Sequence, residues 1–421
     1  MSAAGLSLIA LVVAIALSMM SRVNVGWLAL AFAWLIGVYY AGMRPDAVMA
    51  GFPAGLFLTL TGVTLLFAIA EANGTLASVA AAVIRIARGN ARVIPLLFFG
   101  VACGLSSVGP GAISTVALLA PLAMSVADRT GVGPLLTALM VANGANAGNL
   151  SPFSSVGIIA NGAMQKAGLG GHEARVWFAN FAAHVLVGGL AYVALSRTRL
   201  DPAATRIADR DVTSTAVVPA WRHWLTAGVV GAWIAGVVAL DFSLGLSAFA
   251  AAALLIVSRQ GDESAAVRRM PWGIIMMVTG MSVLIAVLEK TGGMDLFTSL
   301  LARAASPQSV YGVIAFVTGA ISTYSSTSGV VLPAFLPAVP GLVQQVGGGD
   351  PLAVALSINI GASLVDVSPL STIGALCVAA APDQTTGRRL FRALMLWGLS
   401  MTIAGALLCQ LFAGALARLH L

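Results

Sequence analysis

Apolar residues fill most of this chain in runs about as long as the hydrocarbon core of a membrane requires of a helix. These runs predict about ten spans, five in each half of the chain. In the first half the predicted spans are 5–21, 25–42, 51–72, a broken span at 133–165, and 174–196. In the second half they are 222–241, 244–258, 270–289, a broken span at 352–381, and 390–415.

Two further apolar segments, 92–127 and 308–345, carry Ser, Thr, Gly and Pro at their middle. Each flank, roughly 13 to 18 residues long, is too short for a comfortable span, so we predict two re-entrant hairpins. A short helical segment with basic residues precedes each hairpin, at 75–88 and at 294–304. We predict that these two segments are arms lying on the membrane interface.

A sequence motif shows that the two halves are related. The heptapeptide Ser151–Gly157, SPFSSVG, recurs 217 positions later as Ser368–Gly374, SPLSTIG. Five spans per unit is an odd number, so the second unit enters the membrane from the opposite side. We therefore predict an all-α polytopic membrane protein with two inverted five-span repeats, each with a re-entrant hairpin and an interrupted helix. The predicted boundaries are an N-terminal repeat at 1–200, a linker at 201–221 and a C-terminal repeat at 222–421.

Composition and charge set the class and the orientation. With 59% hydrophobic and 9% charged residues, a water-soluble fold is excluded. If the spans are right, sixteen arginines lie on one face and six basic residues on the other. This bias predicts a cytoplasmic linker and two extracytoplasmic termini. The net charge of +7 then reflects membrane orientation, and nucleic acid is not an expected partner.

The Ser-Pro pairs of the motif predict helix breaks at membrane depth. Ser151 and Ser368 are predicted N-caps, with Pro152 and Pro369 as first residues of new half-helices. The N-terminus of a half-helix can face an anion, and the carbonyls that end the preceding half-helix can face a cation. From the two breaks and the two hairpin tips we predict a substrate site made by Ser106, Ser107, Gly109, Gly111, Ser151, Pro152, Ser154, Ser325, Ser326, Thr327, Ser328, Ser368, Pro369 and Ser371.

An intramembrane carboxylate marks the second break. Asp366 lies directly before it, at the position that Asn149 holds in the first. Because such a carboxylate is costly, we interpret Asp366 as a cation ligand or protonation site, the alternative being a simple helix cap. The predicted ligands of the coupling cation, with sodium as a candidate metal ion, are Asn146, Asn149, Asp366, Ser107, Thr327 and Thr372.

Other polar residues of the spans have both a structural and a functional interpretation. Asn143 and Asn146 precede the first break, and packing and coordination are both open for them. His184 stands alone in a span and is interpreted as a hydrogen-bonded packing residue rather than a proton relay. Glu71 and Glu289 end matching spans, so we interpret them as interfacial, with gating as the alternative.

Several motifs together resemble a known family. They are Gly51-Phe52-Pro53, Asn73-Gly74-Thr75, Gly109-Pro110, the Ser151-Pro152 break, the run from Val365 to Thr372, and Ala381-Pro382-Asp383. The chain resembles the MatC-type malonate and dicarboxylate carriers of the ion-transporter superfamily, which are related to the divalent anion/sodium symporters. The resemblance implies a small dicarboxylate as substrate, a homodimeric scaffold in membrane lipid, and elevator-type movement of the substrate-bearing part.

The resemblance leaves the coupling ion open. In the sodium-coupled relatives a Ser-Asn-Thr signature lies at each hairpin tip, whereas the tips here carry Ser106-Ser107 and Ser325-Ser326-Thr327 without an asparagine. We therefore expect coupling to sodium or protons and no other cofactor. A cation/proton antiporter, an oxyanion exporter and a channel are the alternatives within transport. An enzyme is not expected, because the sequence has no His-Glu-x-x-His motif and no nucleophile with a nearby base.

Overall fold

The computed structural model describes residues 2–21, 23–76, 78, 92–196, 221–240, 242–323 and 326–419. Within these ranges the chain forms helices joined by short turns, and no β-strand occurs. Helices satisfy their own backbone hydrogen bonds, as an apolar chain in a membrane requires. The predicted all-α class is thus confirmed, while the inverted relation of the halves and the boundaries at 200 and 221 stay predictions. Most of the arm at 75–88 and nearly all of the linker at 201–221 lie outside the described residues.

Helices follow one another in the same order in the two halves. The first half contains α1 Ala3–Ser21, α2 Val25–Trp34 with a π-helical continuation Leu35–Tyr40, α3 Pro45–Met49, α4 Ala54–Ala72, α5 Ile94–Val108, α6 Gly111–Thr130, α7 Pro134–Gly148, α8 Ser155–Lys166 and α9 Glu173–Leu195. The second half contains α10 Trp221–Leu240, α11 Leu244–Val257, α12 Glu263–Arg269, α13 Trp272–Lys290, α14 Gly293–Ala302, α15 Val310–Ser322, a π-helical turn Thr327–Val331, α16 Leu332–Phe335, α17 Val339–Val346, α18 Pro351–Leu364, α19 Thr372–Ala379 and α20 Gln384–Ala417.

Four helices of the described ranges, α4, α9, α13 and α20, are each long and apolar enough to cross a membrane. Shorter apolar helices of 10–17 residues, such as α11, occupy other predicted spans. The lengths and the apolar composition are those of a multi-pass membrane protein. The number of crossings stays a prediction.

The two predicted hairpins are pairs of short helices. In the first, α5 and α6 meet at Gly109 and Pro110. In the second, α15 is followed by the π-helical turn and α16, and the helical axis then bends by 48° into α17. Helices joined by a turn agree with the hairpins predicted from the sequence. Their re-entry into the membrane stays a prediction.

Glycines hold the two halves together through two equivalent contacts. Helix α2 packs against α13, where a Cβ added at Gly280 would lie 2.7 Å from the Gly26 Cα. Helix α4 packs against α11, where a Cβ at Gly245 would lie 2.5 Å from the Thr59 Cα. Small residues allow this approach, which is a common way for helices to associate in lipid. In both contacts, the helix of the third predicted span in one half packs against the helix of the second predicted span in the other half.

The two breaks also join the halves. Helix α19, which follows the second break, packs against α6 of the first hairpin. Helix α8, which follows the first break, packs against α16 of the second hairpin. Hairpins and broken helices of the two halves thus form one interlocked body, which contains both breaks.

Candidate functional site

Each broken helix contains a tight turn between its two half-helices. In the first turn Ser151 N–H donates to the Gly148 carbonyl at 3.0 Å, and Ser154 N–H donates to the Ser151 carbonyl at 2.9 Å. In the second turn Ser368 and Ser371 repeat these bonds, each at 2.9 Å. The two turns therefore have the same backbone hydrogen-bonding pattern.

The predicted N-caps are wrong by three residues. The second half-helices are capped by Ser154 and Ser371 rather than by Ser151 and Ser368. The prolines, Pro152 and Pro369, accordingly lie inside the turns and not at the first helical positions. Each motif offers two serines three residues apart. The first serine takes part in the hydrogen bonds of the turn, so the helix begins only after the second serine.

The first hairpin tip is attached to the first break. The backbone N–H of Ala112 donates to Asn149 Oδ1 at 3.0 Å, and Ser155 N–H donates to the Gly109 carbonyl at 3.4 Å. Gly111 between them has φ +73° and would bring a Cβ within 2.5 Å of Ser155 Oγ. Glycine is required there for both reasons. Asn149 therefore attaches the hairpin tip to the break, and its Oδ1 already accepts one hydrogen bond from that tip.

Unpartnered hydroxyls surround this first contact. Ser106 and Ser154 are fully buried, and among the described residues their hydroxyls have no hydrogen-bond partner. Ser107 lies against Gly148, where a Cβ would be 2.6 Å from its Oγ. Ser151 Oγ is engaged locally, because it accepts from Phe153 N–H at 3.3 Å. Buried polar groups normally find partners, so the two orphaned hydroxyls are groups whose hydrogen-bonding capacity a polar ligand or a water would satisfy.

The second hairpin tip meets the second break around Asp366. The hydroxyl of Thr327 lies 2.5 Å from Ser322 Oγ and 3.4 Å from the Ala362 carbonyl oxygen, and it also interacts with the Asp366 carboxylate. Ser371 interacts with the same carboxylate and donates to the Ser368 carbonyl at 2.8 Å. Oxygen atoms from both arms of the hairpin and from the break thus converge there. Hard cations are bound by oxygen ligands of this kind.

No basic side chain of the described residues is among the groups that interact with Asp366. Its partners are hydroxyls, which can orient either a carboxylate or a carboxylic acid. A carboxylate without a basic partner at this depth needs a proton or a cation to balance it. The arrangement is therefore suited to cation or proton binding.

The other predicted residues of the second half are placed less centrally. Ser326 caps the π-helical turn by accepting from Gly329 N–H at 3.1 Å, and Ser328 is buried in that turn. Ser368 Oγ accepts from Leu370 N–H at 3.4 Å. Thr372 is exposed on the first turn of α19, so it lies outside the cluster around Asp366. Ser325 lies outside the described residues.

A buried polar network connects the two breaks. Asn146 Nδ2 donates to the Ser363 carbonyl at 3.5 Å, and Asn180 Nδ2 donates to the Asn146 carbonyl at 2.6 Å. The His184 ring bonds to the Asn180 carbonyl at 2.9 Å, which agrees with the predicted hydrogen-bonded packing role. Ser363, Asn180, Ser322 and the Ala362 carbonyl were not predicted. Of these, Ser363 had a signal in the sequence, because it lies 217 residues after Asn146.

Aromatic rings join the first break to neighbouring helices. Phe153 in the turn lies 6.0 Å from Trp233 of α10, and Trp233 lies 6.0 Å from Phe67 of α4, measured between ring centroids. The hairpin tip at Gly109 rests on the same Phe67 ring. Edge-to-face pairs of this geometry stabilise contacts. These ring contacts attach the first tip and the first break to α4 and α10.

A cavity of about 210 Å³ lies beside α8. It is bounded by α8 and α16 on one side and by α13 and the residues before α4 on the other. Lys166 and Glu289 are exposed and both belong to its lining. Pro333 of the second hairpin also lines it, and Thr327 of the same hairpin interacts with Asp366.

Two comparisons with known proteins agree with this geometry. The family model described as the N-terminus of the dicarboxylate carrier protein MatC matches residues 1–149. Residues 1–149 are therefore similar to this family, in agreement with the resemblance predicted from the sequence motifs. The family is described as a carrier family, which agrees with the expectation of a transporter rather than a membrane-embedded enzyme.

A solved structure shows the same fold. The crystal structure of the YdaH transporter from Alcanivorax borkumensis is similar with a TM-score of 0.59 and 17% sequence identity, over 88% of this chain and 87% of that chain. At this identity the likeness concerns the fold alone. No curated protein sequence matches this chain.

Proposed function

We propose that this chain is a secondary active transporter of small dicarboxylates, with malonate as the first candidate and C4-dicarboxylates as the second. The substrate class rests on the MatC-type N-terminal part. The transporter architecture is supported by the fold likeness to YdaH over most of both chains.

The observation that carries the proposal is the attachment of each hairpin tip to the break of its own half. Asn149 binds the first tip through Ala112 N–H, and Asp366 interacts with Thr327 of the second. Asn149 and Asp366 are equivalent positions of the two motifs. Paired half-sites built from interrupted helices are a common way for secondary transporters to bind a substrate and a coupling ion together.

The first half-site is the better candidate for a substrate carboxylate. It offers the orphaned hydroxyls of Ser106 and Ser154 and the N-terminus of α8, which carries a partial positive charge. A carboxylate accepts hydrogen bonds and would satisfy both hydroxyls. The binding free energy would come from hydrogen bonds and the helix dipole rather than from a basic side chain.

The second half-site is the better candidate for the coupling cation. Ser322, Thr327, Asp366 and Ser371 supply oxygens of the kind that sodium prefers, and Asp366 can instead take up a proton. Either cation would balance part of the substrate charge. Coupling to sodium or to protons is therefore part of the proposal.

Transport by such a site requires alternating access. We propose that the interlocked body of hairpins and broken helices moves as an elevator against a scaffold formed by the spans 5–42 and 222–258, which correspond to α1, α2, α10 and α11. We further propose a homodimer in the bacterial inner membrane with both termini extracytoplasmic. These features rest on the resemblance and on the distribution of basic residues.

Uptake by purified protein in proteoliposomes tests the proposal. Labelled malonate is supplied under an imposed sodium gradient, an imposed proton gradient or neither, with succinate and propionate as competitors. We expect saturable uptake that follows one gradient and is inhibited by succinate but not by propionate. Folded protein that takes up no malonate under any gradient would turn the proposal towards oxyanion export or cation antiport.

A further inference from the structure

The cavity beside α8 has a charged residue on each of two opposite walls. Lys166 is the last residue of α8, and Glu289 lies near the end of α13, on the opposite wall. The two side chains attract each other, but among the described residues they form no ion pair within 4.0 Å. Both are exposed, so solvent reaches them at this end of the cavity.

One face of α8 lines the cavity in the direction of the first half-site. Ile159, Gly162, Ala163 and Lys166 line the cavity at the three- and four-residue spacing of a single helix face. The helix begins at Ser155, next to the first hairpin tip. At 1.5 Å per residue the distance from Ser155 to Lys166 is about 16 Å. The lining on α8 ends at Ile159, about 6 Å along the helix axis from Ser155, so the cavity leads from Lys166 along α8 in the direction of the break.

The lining offers one positive charge to an anion. Among the lining residues Lys166 is the sole lysine or arginine, and Glu289 is the sole acid. The equivalent of Glu289 in the first half is Glu71, which pairs with Arg269 at 3.6 Å. The glutamate of the first half is thus fixed by an ion pair, whereas the glutamate of the second half faces a lysine across open space.

We propose that Lys166 is an anion-capture residue, which binds one carboxylate of the incoming dicarboxylate at the entrance of the cavity in competition with Glu289. This inference rests on the proposed function, because it names the entry route to the same site. The lysine raises the local concentration of anions, and the glutamate limits how tightly they are held. An entrance of this kind favours a dianion over a neutral molecule and releases it inward.

Charge-neutral variants test the roles of the two residues separately. Lys166→Gln should raise the KM for malonate by about two- to fivefold with the maximal rate unchanged, which is the size expected for an exposed charge pair. Glu289→Gln should lower the KM, because it removes the competitor. Lys166→Arg should restore wild-type values, and added salt should reduce the differences between all of these proteins.

A control removes another exposed positive charge of the same predicted membrane face. Arg303 is exposed at the end of α14 and does not line the cavity. Arg303→Gln should leave the KM unchanged, which separates capture from a general effect of surface potential.

The outcomes are distinguishable from a failure of the proposed function. Wild-type protein without malonate uptake would refute the function itself. With wild-type uptake intact, an unchanged KM in Lys166→Gln would overturn the capture role. If Lys166→Gln and Glu289→Gln shift the KM in the same direction, the pair is a structural latch and the inference is wrong. Should Lys166→Gln fail to fold, the direction of the Glu289→Gln effect decides.

Discussion

The side-chain amide of Asn146 donates to the main-chain carbonyl of Ser363 at 3.5 Å, and the two residues are 217 positions apart. This is the same separation that relates the two Ser-Pro turns. Helices α7 and α18 therefore contact each other just before the two helix breaks that follow them.

The first prediction concerns coupling. Asp366→Asn keeps the shape of the side chain and one acceptor oxygen but removes its charge. We therefore expect gradient-driven accumulation of malonate to fall by at least about tenfold, since one charge–cation contact is worth more than 1.4 kcal/mol in a desolvated site. Malonate exchange without a gradient should persist. The measurement is uptake in both modes with the same protein preparation.

A control for this variant removes an exposed carboxylate. Asp295 lies on the exposed face of α14, and Asp295→Asn should transport like the wild type. Normal gradient-driven accumulation by folded Asp366→Asn protein would remove Asp366 from the coupling mechanism.

The second prediction compares two equivalent capping serines. Ser371 donates to the Ser368 carbonyl and accepts from Gly374 N–H, whereas the Ser154 hydroxyl has no partner among the described residues. Ser371→Ala should therefore lower the free energy of unfolding by about 1 kcal/mol. Ser154→Ala should leave stability nearly unchanged and should raise the KM for malonate.

Thermal unfolding in detergent and uptake kinetics measure these two effects. Equal stability losses in the two variants would show that Ser154 is a structural cap. Equal KM values for Ser154→Ala and the wild type would remove that hydroxyl from the substrate site.

The third prediction concerns the contacts between the halves. A methyl group at Gly280 would meet the backbone of α2, which cannot move aside as a side chain can. Gly280→Ala should therefore destabilise the protein by about 1–3 kcal/mol, the usual cost of overpacking. Gly228 of α10 is the matched control, since nothing lies within 4 Å of the position its Cβ would take.

Gly228→Ala should be neutral or slightly stabilising, because alanine is the better helix former. The midpoints of thermal unfolding of both variants in the same detergent provide the comparison. Similar midpoints for the two variants would show that the α2–α13 contact is looser than described.

Much of the fold could be predicted because helices in a membrane are apolar along their whole length. The predicted span 174–196 corresponds to Glu173–Leu195, and the broken span 133–165 corresponds to Pro134–Gly148 and Ser155–Lys166. Breaks were visible because Ser-Pro pairs interrupt apolar runs. The inversion of the halves depends on the membrane sides of the helix ends, and it stays a prediction.

The site could be predicted only in part. The breaks and tips were found from their hydroxyls and glycines, and the attachment of each tip to its own break agrees with that interpretation. The caps were placed three residues early, because two serines compete for the same role and local sequence does not rank them. The Ala362 carbonyl beside Thr327 could not be predicted, since every residue has a carbonyl and only the tertiary fold selects one.

Counterflow tests the central claim most directly. Proteoliposomes are loaded with unlabelled malonate, diluted into a trace of labelled malonate without any ion gradient, and sampled over time. A dicarboxylate carrier with an occluded site predicts transient accumulation of label above equilibrium, which unlabelled succinate on the outside suppresses. Folded protein that lets label equilibrate without any overshoot, or that admits none, would contradict the account.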